Sequence, residues 1–302
     1  RPFWGVAHLL KRGYDVASDR DSDVVLLQRE MLSSFFTWER FTRRPRVLDV
    51  DDAIWLYRGG HFARRLAQCS DAIICGNSYI ADWFRQWCDR VRIVPTPVDT
   101  SRFRPIASPP RGRVVIGWSG TRGGFVYFKE LAAAVAEVLQ KVPGAVFRII
   151  SDASPSLPHI PAERIEFIPW SQATEATALQ DMTLGLMPLD NSEWSLGKCS
   201  YKMLLYMACG VPVVVTPIGM NVDVLRRGQV GYGAATHKEW VDAMMAIIEA
   251  EPLRGSMGQE GRRVVLEHYS LSRWIPAMAA ALKDVAANHS ALTAIAAQPQ
   301  AR

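Results

Sequence analysis

Gly197-Lys198-Cys199-Ser200-Tyr201-Lys202-Met203-Leu204-Leu205-Tyr206-Met207-Ala208-Cys209-Gly210-Val211-Pro212-Val213-Val214-Val215 reads as a helix, a glycine stop and a buried strand. Cys199 to Cys209 holds no Pro or Gly and is rich in Met, Leu and Ala, which favour helix. Gly210 suits the left-handed position just past a helix end, and Pro212 follows where a helix cannot continue. Val211 to Val215 is short, apolar and mostly β-branched, the pattern of a parallel strand covered on both faces. On such a helix Lys198, Lys202 and Leu205 fall at i, i+4 and i+7 and share one face. Two lysines at a helix start, where free N–H groups and the dipole favour negative charge, can hold an anion. The plainer reading is a core helix with two solvated lysines.

Outward from this stretch, short apolar runs alternate with helical segments, the signature of doubly wound parallel sheets. Strands are expected at 23–28, 46–50, 71–75 and 91–94, then at 114–118, 145–150, 165–168 and 183–187 before the central helix and strand. A helix covers Pro2 to Tyr14 and ends at Gly13, and another opens at Asn77 or Ser78 and runs through Trp87. Further helices lie near 221–227, 236–250 and 252–267. Pro95, Pro97, Pro105, Pro109 and Pro110 interrupt the pattern, so 95–113 reads as an interdomain linker. The expected organisation is an N-terminal domain over 1–110 and a C-terminal domain over 111–270. A last helix covers 271–287, and a disordered tail covers 288–302.

The chain of 302 residues, 49% hydrophobic and 22% charged, is long enough for two domains. Five cysteines at irregular spacing argue against a disulfide framework and read as reduced, mostly buried thiols of a cytoplasmic protein. Cys69, Cys75 and Cys88 form no CxxC pair and lack a nearby His cluster, so zinc is disfavoured. No run is long enough to span a membrane as an apolar helix, and the chain opens at Arg1 with no signal peptide, which reads as an N-terminal truncation. The net charge of +5 is uneven: residues 1–110 hold 17 Lys/Arg against 13 Asp/Glu. That excess is too mild for a nucleic-acid binder and suits phosphate-bearing ligands or an anionic membrane surface.

Three constellations carry chemistry. Ser119-Gly120-Thr121-Arg122-Gly123-Gly124, entered from Gly117, is a glycine-rich turn between strand and helix where backbone can approach a phosphate. Its spacing is neither G-x-G-x-x-G nor a Walker loop, and such turns also carry glycine for steric reasons alone. Asp49, Asp51 and Asp52 surround one strand end, as a base, as hydroxyl-binding acceptors, or as a cap with solvated acids. Arg29-Glu30 ends another strand, as a cleft pair or a surface pair. Separately, Phe35, Phe36, Trp38, Arg40, Phe41, Arg43, Arg44 and Arg46 read as an interfacial helix touching anionic lipid, or as an ordinary sheet-covering helix whose arginines snorkel.

With both halves in view the sequence resembles the GT-B glycosyltransferases, specifically the large retaining family 4. The resemblance rests on Asp49 to Trp55, Asp71 to Tyr79, Val94 to Thr100, Gly117 to Gly120, and most strongly Lys202 to Val215 followed by Pro217-Ile218-Gly219. It covers about residues 15 to 287. It implies an α/β protein of two Rossmann-like doubly wound domains facing across a cleft, the N-terminal one truncated, with a nucleotide-diphosphate-sugar in the C-terminal domain and the acceptor entering from the other. It also implies no obligatory metal or other cofactor, and a last helix at 271–287 that crosses back onto the first domain, with Trp274 the expected anchor.

Two departures matter. The family's Glu-x7-Glu falls on Gly197 and Leu205, so both carboxylates are absent. Its Gly-Arg after the first strand of the second domain is absent too, because Trp118 stands at the Arg position. The subgroup resembled has Gly-Lys-Cys and a Lys four residues on in this place. Lys198 and Lys202 therefore become the expected anion ligands, together with Gly117, Ser119 and Gly120. Thr121, Arg122 and Tyr201 complete the expected donor set. Lys198, Lys202, Asp51 and Asp52 are the expected catalytic residues. The implied activity is sugar transfer to a glycan, lipid-linked or small acceptor, and the arginine–aromatic stretch adds weak anionic contact at the inner membrane face. A GT-B nucleotide-sugar epimerase and a catalytically degenerate nucleotide-sugar-binding module are the alternatives.

Overall fold

The apolar runs assemble into two all-parallel sheets in a computed structural model of the chain, which describes residues 2–18, 21–32, 34–106 and 112–296. The chain divides into two compact units.

The first unit takes the described residues up to Thr96, then Leu196–Cys199 and those from Trp274 onward. Helix α1 (Pro2–Ser18) precedes a four-stranded sheet of β1 (Val25–Gln28), β2 (Arg46–Val50), β3 (Ala72–Cys75) and β4 (Val91–Ile93), ordered β1-β2-β3-β4. Helix α1 continues past Gly13, because one interior glycine costs only about 1 kcal/mol. Helix α2 (His61–Cys69) buries Phe62, Ala63, Leu66 and Ala67, one stripe at helical spacing. Helix α3 (Ser78–Phe84) is capped by Asn77, whose Oδ1 accepts the Ile80 N–H at 2.9 Å.

The second unit comprises Pro97–Ser195 and Ser200–Arg273. It contains β5 (Val115–Ser119), α4 (Phe128–Lys141), β6 (Val146–Ser151), β7 (Ile165–Pro169), α5 (Glu175–Gln180) and β8 (Leu184–Met187). After the short α6 (Glu193–Leu196) come α7 (Tyr201–Ala208), β9 (Val213–Val215), α8 (Met220–Leu225), β10 (Gly231–Gly233), α9 (His237–Glu249) and α10 (Glu251–His268). The sheet order is β10-β9-β8-β5-β6-β7. Counted within the unit this is the dinucleotide-binding order 3-2-1-4-5-6, which reverses direction between β5 and β8. Strands β5, β6, β8 and β9 are buried throughout, as strands covered on both faces must be. Trp118, Phe128, Phe147, Leu184 and Val214 lie in one apolar core there.

Three boundaries differ from expectation. The proline-rich stretch is not a free linker. Residues 97–106 are fastened to the second unit, with the Val98 N–H on the Tyr269 carbonyl at 2.7 Å, the Leu271 N–H on the Val98 carbonyl at 3.0 Å, and Phe103 buried. Residues 107–111 lie outside the described residues. The last helix, α11 (Leu271–Ala296), runs through 288–296 rather than fraying at Asn288, and 297–302 lie outside the described residues. In the first unit it packs Ala281 and Val285 against Val47, Ala72 and Ile74. The interfacial helix expected around Trp38 is a single 3-10 turn, Glu39–Phe41. Its neighbours prefer tertiary partners: Glu39 is buried and accepts the Met31 N–H at 2.8 Å, while the buried Arg46 donates to the Thr42 hydroxyl at 2.7 Å and the Cys69 carbonyl at 3.1 Å.

Candidate functional site

In an open parallel sheet, ligands bind beyond the carboxyl ends of the strands where the strand order reverses. In the second unit that point lies between β5 and β8, and the glycine-rich turn leaves the end of β5 there. The turn does not feed an α-helix directly: a 3-10 segment, Arg122–Tyr127, precedes α4. Its Tyr127 hydroxyl meets the Ser195 hydroxyl of α6 at 3.3 Å, tying the turn to the segment after β8. In that segment burial pushes the Asp190 carboxyl upward, but hydrogen bonds from Ser192 and Ser195 outweigh it and hold Asp190 below the ordinary range. Nothing local in the sequence distinguishes Tyr127, Asp190 and Ser195 from other polar residues, so this network near the turn emerges only from the fold.

Two side chains of α7 reach β5 and its turn. Tyr206 is fully buried and its hydroxyl accepts the Ser119 N–H at 2.7 Å. The Lys202 ammonium lies 4.9 Å from the centroid of the buried Trp118 indole. The glycines close over this pair. A Cβ at Gly120 would stand 2.7 Å from the Trp118 ring and 2.8 Å from Lys202 Cε, and one at Gly124 would stand 2.8 Å from the ring. Gly117 is glycine for another reason: a Cβ there would strike the Met182 sulfur at 2.0 Å. Thr121 and Arg122 are exposed on the turn, where the Arg122 N–H donates to Asp152 at 2.6 Å, and Tyr201 is 40% exposed on the first turn of α7.

Lys198 does not share a helix face with Lys202. Ser200 takes a left-handed φ of 52°, its hydroxyl donating to Asn221 Oδ1 at 2.7 Å, so the helix starts only at Tyr201. Leu196–Cys199 belongs to the first unit instead, against the ends of β2 and β3. The fit is steric: a Cβ at Gly76 would stand 2.3 Å from Cys199 Sγ, and one at Gly197 would stand 2.7 Å from Ala53 Cβ. A glutamate cannot enter at 197 without moving that backbone. Leu205, the other position without its carboxylate, is buried at 2% exposure. Asn77 Nδ2 donates to the Lys198 carbonyl at 3.1 Å, and the Cys199 thiol donates to the Asp51 carbonyl at 3.1 Å. Burial, and then the Asp51 charge, push that thiol up to about 12, so it is structural rather than nucleophilic.

This seating delivers Lys198 to the carboxylates. Its ammonium donates to Asp52 Oδ1 at 2.8 Å, and Arg29 Nη1 donates to Asp52 Oδ2 at 3.2 Å. Asp51 keeps an exposed edge, yet the protein packed around its carboxyl raises its pKa and the adjacent Asp52 charge adds to the rise, while Arg29 and Lys198 pull it back. Asp49, within β2, is raised by burial and then by Asp51. Arg29-Glu30 is not a surface pair, since the Glu30 side chain is 3% exposed and its Oε1 accepts the Ser34 N–H at 2.9 Å. The first unit therefore holds a carboxylate pair of unequal character: Asp52 clamped by two cations, and Asp51 beside it with a raised proton affinity.

Residues 121–250 match the family model of group 1 glycosyl transferases. No curated protein sequence matches the chain. Among solved structures the fold is similar to HepE of Anabaena, in complex with UDP and glucose (12% identity, TM-score 0.71, 90% of this chain and 80% of that one). It is also similar to sucrose-phosphate synthase from Thermosynechococcus elongatus (10% identity, TM-score 0.69, 93% and 77%). A third is the pneumococcal O-GlcNAc transferase GtfA in complex with UDP and GlcNAc (12% identity, TM-score 0.67), where the chain covers 92% of itself but spans only 59% of GtfA. Residues 121–250 are thus similar to a group 1 glycosyl transferase domain, and the chain has the fold of the GT-B glycosyltransferases.

Proposed function

We propose that the protein transfers a sugar, with retention, from a nucleotide-diphosphate-sugar to a glycan, lipid-linked or small acceptor, without an obligatory metal or cofactor. The observation that carries this reading is the Lys202 ammonium lodged at the glycine turn, at the switch point of the group 1 domain. The negative charge on a nucleoside diphosphate grows as the glycosidic bond breaks, and a preorganised cation stabilises that charge more in the transition state than in the ground state. Ser119, Gly120, Thr121, Arg122 and Tyr201 supply the remaining donor contacts, while Gly117, expected among them, is buried within β5 against Met182. Lys198, Asp52 and Asp51 serve the acceptor side, with Asp51 accepting the hydrogen bond of the incoming hydroxyl.

The test is release of free nucleotide from UDP-sugars on addition of acceptor glycans. Lys202→Ala should lower turnover about a hundredfold, the scale of losing one charge-stabilising donor. The empty glutamate positions Gly197 and Leu205 favour one second reading, a module that binds nucleotide-sugar without turning it over. UDP binding with no transfer or hydrolysis would select it.

The reading also includes reversible contact with an anionic inner membrane face at Trp38, Arg40, Phe41, Arg43 and Arg44. Phe41 is 54% exposed with the Arg40 guanidinium 4.4 Å from its ring centroid, although Arg44 is drawn to Asp71. Three arginines at about 1 kcal/mol each support only weak attachment. Sedimentation with phosphatidylglycerol vesicles should fall with salt and in the triple Arg→Ala variant, and an unchanged bound fraction rules the contact out.

A further inference from the structure

The Trp118 indole is buried at the end of β5, yet one ring face is taken by a cation rather than by core. Phe125 and Phe128 crowd its other sides with ring centroids 5.7 and 4.7 Å away, so the indole cannot turn. Its backbone is equally fixed, because the next residue, Ser119, is bonded to the Tyr206 hydroxyl of α7. Lys202 stands one helical turn before Tyr206 on α7. The two elements that carry the pair are thus locked together within 4 residues of each partner.

A lysine has four rotatable bonds, and an ammonium left to itself spreads over many rotamers. The electron-rich indole face attracts it electrostatically and restricts that spread. Gly120 and Gly124 lie against the benzo edge of the ring and beside the lysine with no side chain of their own, and any Cβ at 120 would displace both the ring and the lysine stem. The turn's glycines therefore make room for an oriented cation, in addition to any approach of backbone to ligand.

We infer that Trp118 is a positioning residue for the Lys202 ammonium, holding it at the glycine turn for the diphosphate of the donor. This rests on the reading of Lys202 as the diphosphate ligand and adds the residue that aims it. It also accounts for an aromatic residue at the end of β5: the cation comes from α7, and β5 supplies the surface that orients it.

The experiment is a double-mutant cycle on uridine diphosphate affinity, measured by calorimetry with the full chain, using Trp118→Leu and Lys202→Ala. Trp118→Leu keeps apolar bulk and removes the aromatic face, and Trp118→Phe, which keeps a weaker face, covers the case where Leu fails to fold. Trp118→Leu should weaken binding about three- to tenfold, Trp118→Phe less, and neither should weaken it further in the Lys202→Ala background. An equal penalty in both backgrounds makes Trp118 a mere core residue and overturns the inference. If the wild type binds no uridine diphosphate, the functional reading of Lys202 fails separately, and the pairing is then decided by NMR. The Lys202 ε-methylene protons should be shifted upfield by the indole and return toward the free-lysine position in Trp118→Phe or Trp118→Leu. An unshifted resonance in the wild type overturns the pairing itself.

Discussion

Lys198 Nζ donates a 2.8 Å hydrogen bond to Asp52 Oδ1 across 146 residues of chain. The pair is partly buried, with side chains 30% and 20% exposed, and Arg29 approaches the same carboxylate from the other side. Asp52 is therefore held by two cations, whereas Lys202 is oriented by an aromatic ring. The two lysines should separate in their effects. Lys202→Ala should weaken uridine diphosphate binding and slow turnover. Lys198→Ala should slow turnover while changing nucleotide affinity less, because its ammonium is committed to the carboxylates. Calorimetry and steady-state kinetics on both variants check this, and equal losses of affinity would place both lysines on the diphosphate.

The acid side of the pH profile should belong to Asp51. Packing and the Asp52 charge raise its pKa, so its ionised form is fully populated only at higher pH than for an ordinary aspartate near 3.9. Arg29 and Lys198 oppose that rise. Removing either cation leaves Asp51 protonated to still higher pH. Arg29→Ala should thus move the acid limb of kcat/KM upward, and Asp51→Asn should abolish that limb along with most activity. An acid limb that stays in place in Arg29→Ala assigns it to another group.

Much of the fold was readable because local chemistry decides it. Val213-Val214-Val215 is a buried parallel strand, and Gly210 has φ 73°, the left-handed stop its place after the helix requires. The helix start was misread because Ser200 is left-handed without being glycine or asparagine. Its conformation is held by Asn221, 21 residues away, and no local pattern reports that bond. Gly76 and Gly197 are similar: each is glycine because a distant atom arrives where its side chain would be. The proline-rich stretch looked like a linker for want of apolar periodicity, but two backbone hydrogen bonds and one buried phenylalanine fasten it regardless.

The seating of Leu196–Cys199 has a direct mutational test. Gly76→Ala introduces a methyl 2.3 Å from Cys199 Sγ, far inside contact distance, between two fully or nearly buried groups. Overpacking of this kind costs about 1–3 kcal/mol. Adding Cys199→Ala removes the clashing sulfur, so the double variant should recover most of the loss although each single change destabilises. Urea unfolding of the four proteins measures the coupling, and additive losses would show that the cysteine is not what Gly76 accommodates.

Tyr206→Phe tests whether α7 holds the end of β5. The phenol is fully buried and its hydroxyl accepts the N–H of Ser119, itself 4% exposed. Its ring lies flush on the sheet, where only glycine fits at 185, since a Cβ there would stand 2.4 Å from the ring. Burial pushes ionisation of the hydroxyl far upward, so it stays neutral and its bond to Ser119 does not change with pH in the physiological range. Phenylalanine keeps the packing and deletes only the acceptor. The Ser119 N–H is then left buried without a partner, which costs about 1–3 kcal/mol. The loss falls where the glycine turn begins, one residue after Trp118, so it should loosen the ring that orients Lys202 as well as lower stability. Unfolding free energy should drop by that amount and uridine diphosphate affinity should fall with it, although residue 206 carries no charge and Lys202 is unchanged. A variant with lowered stability and wild-type affinity would show that the Tyr206 hydroxyl braces the sheet without helping to set the site.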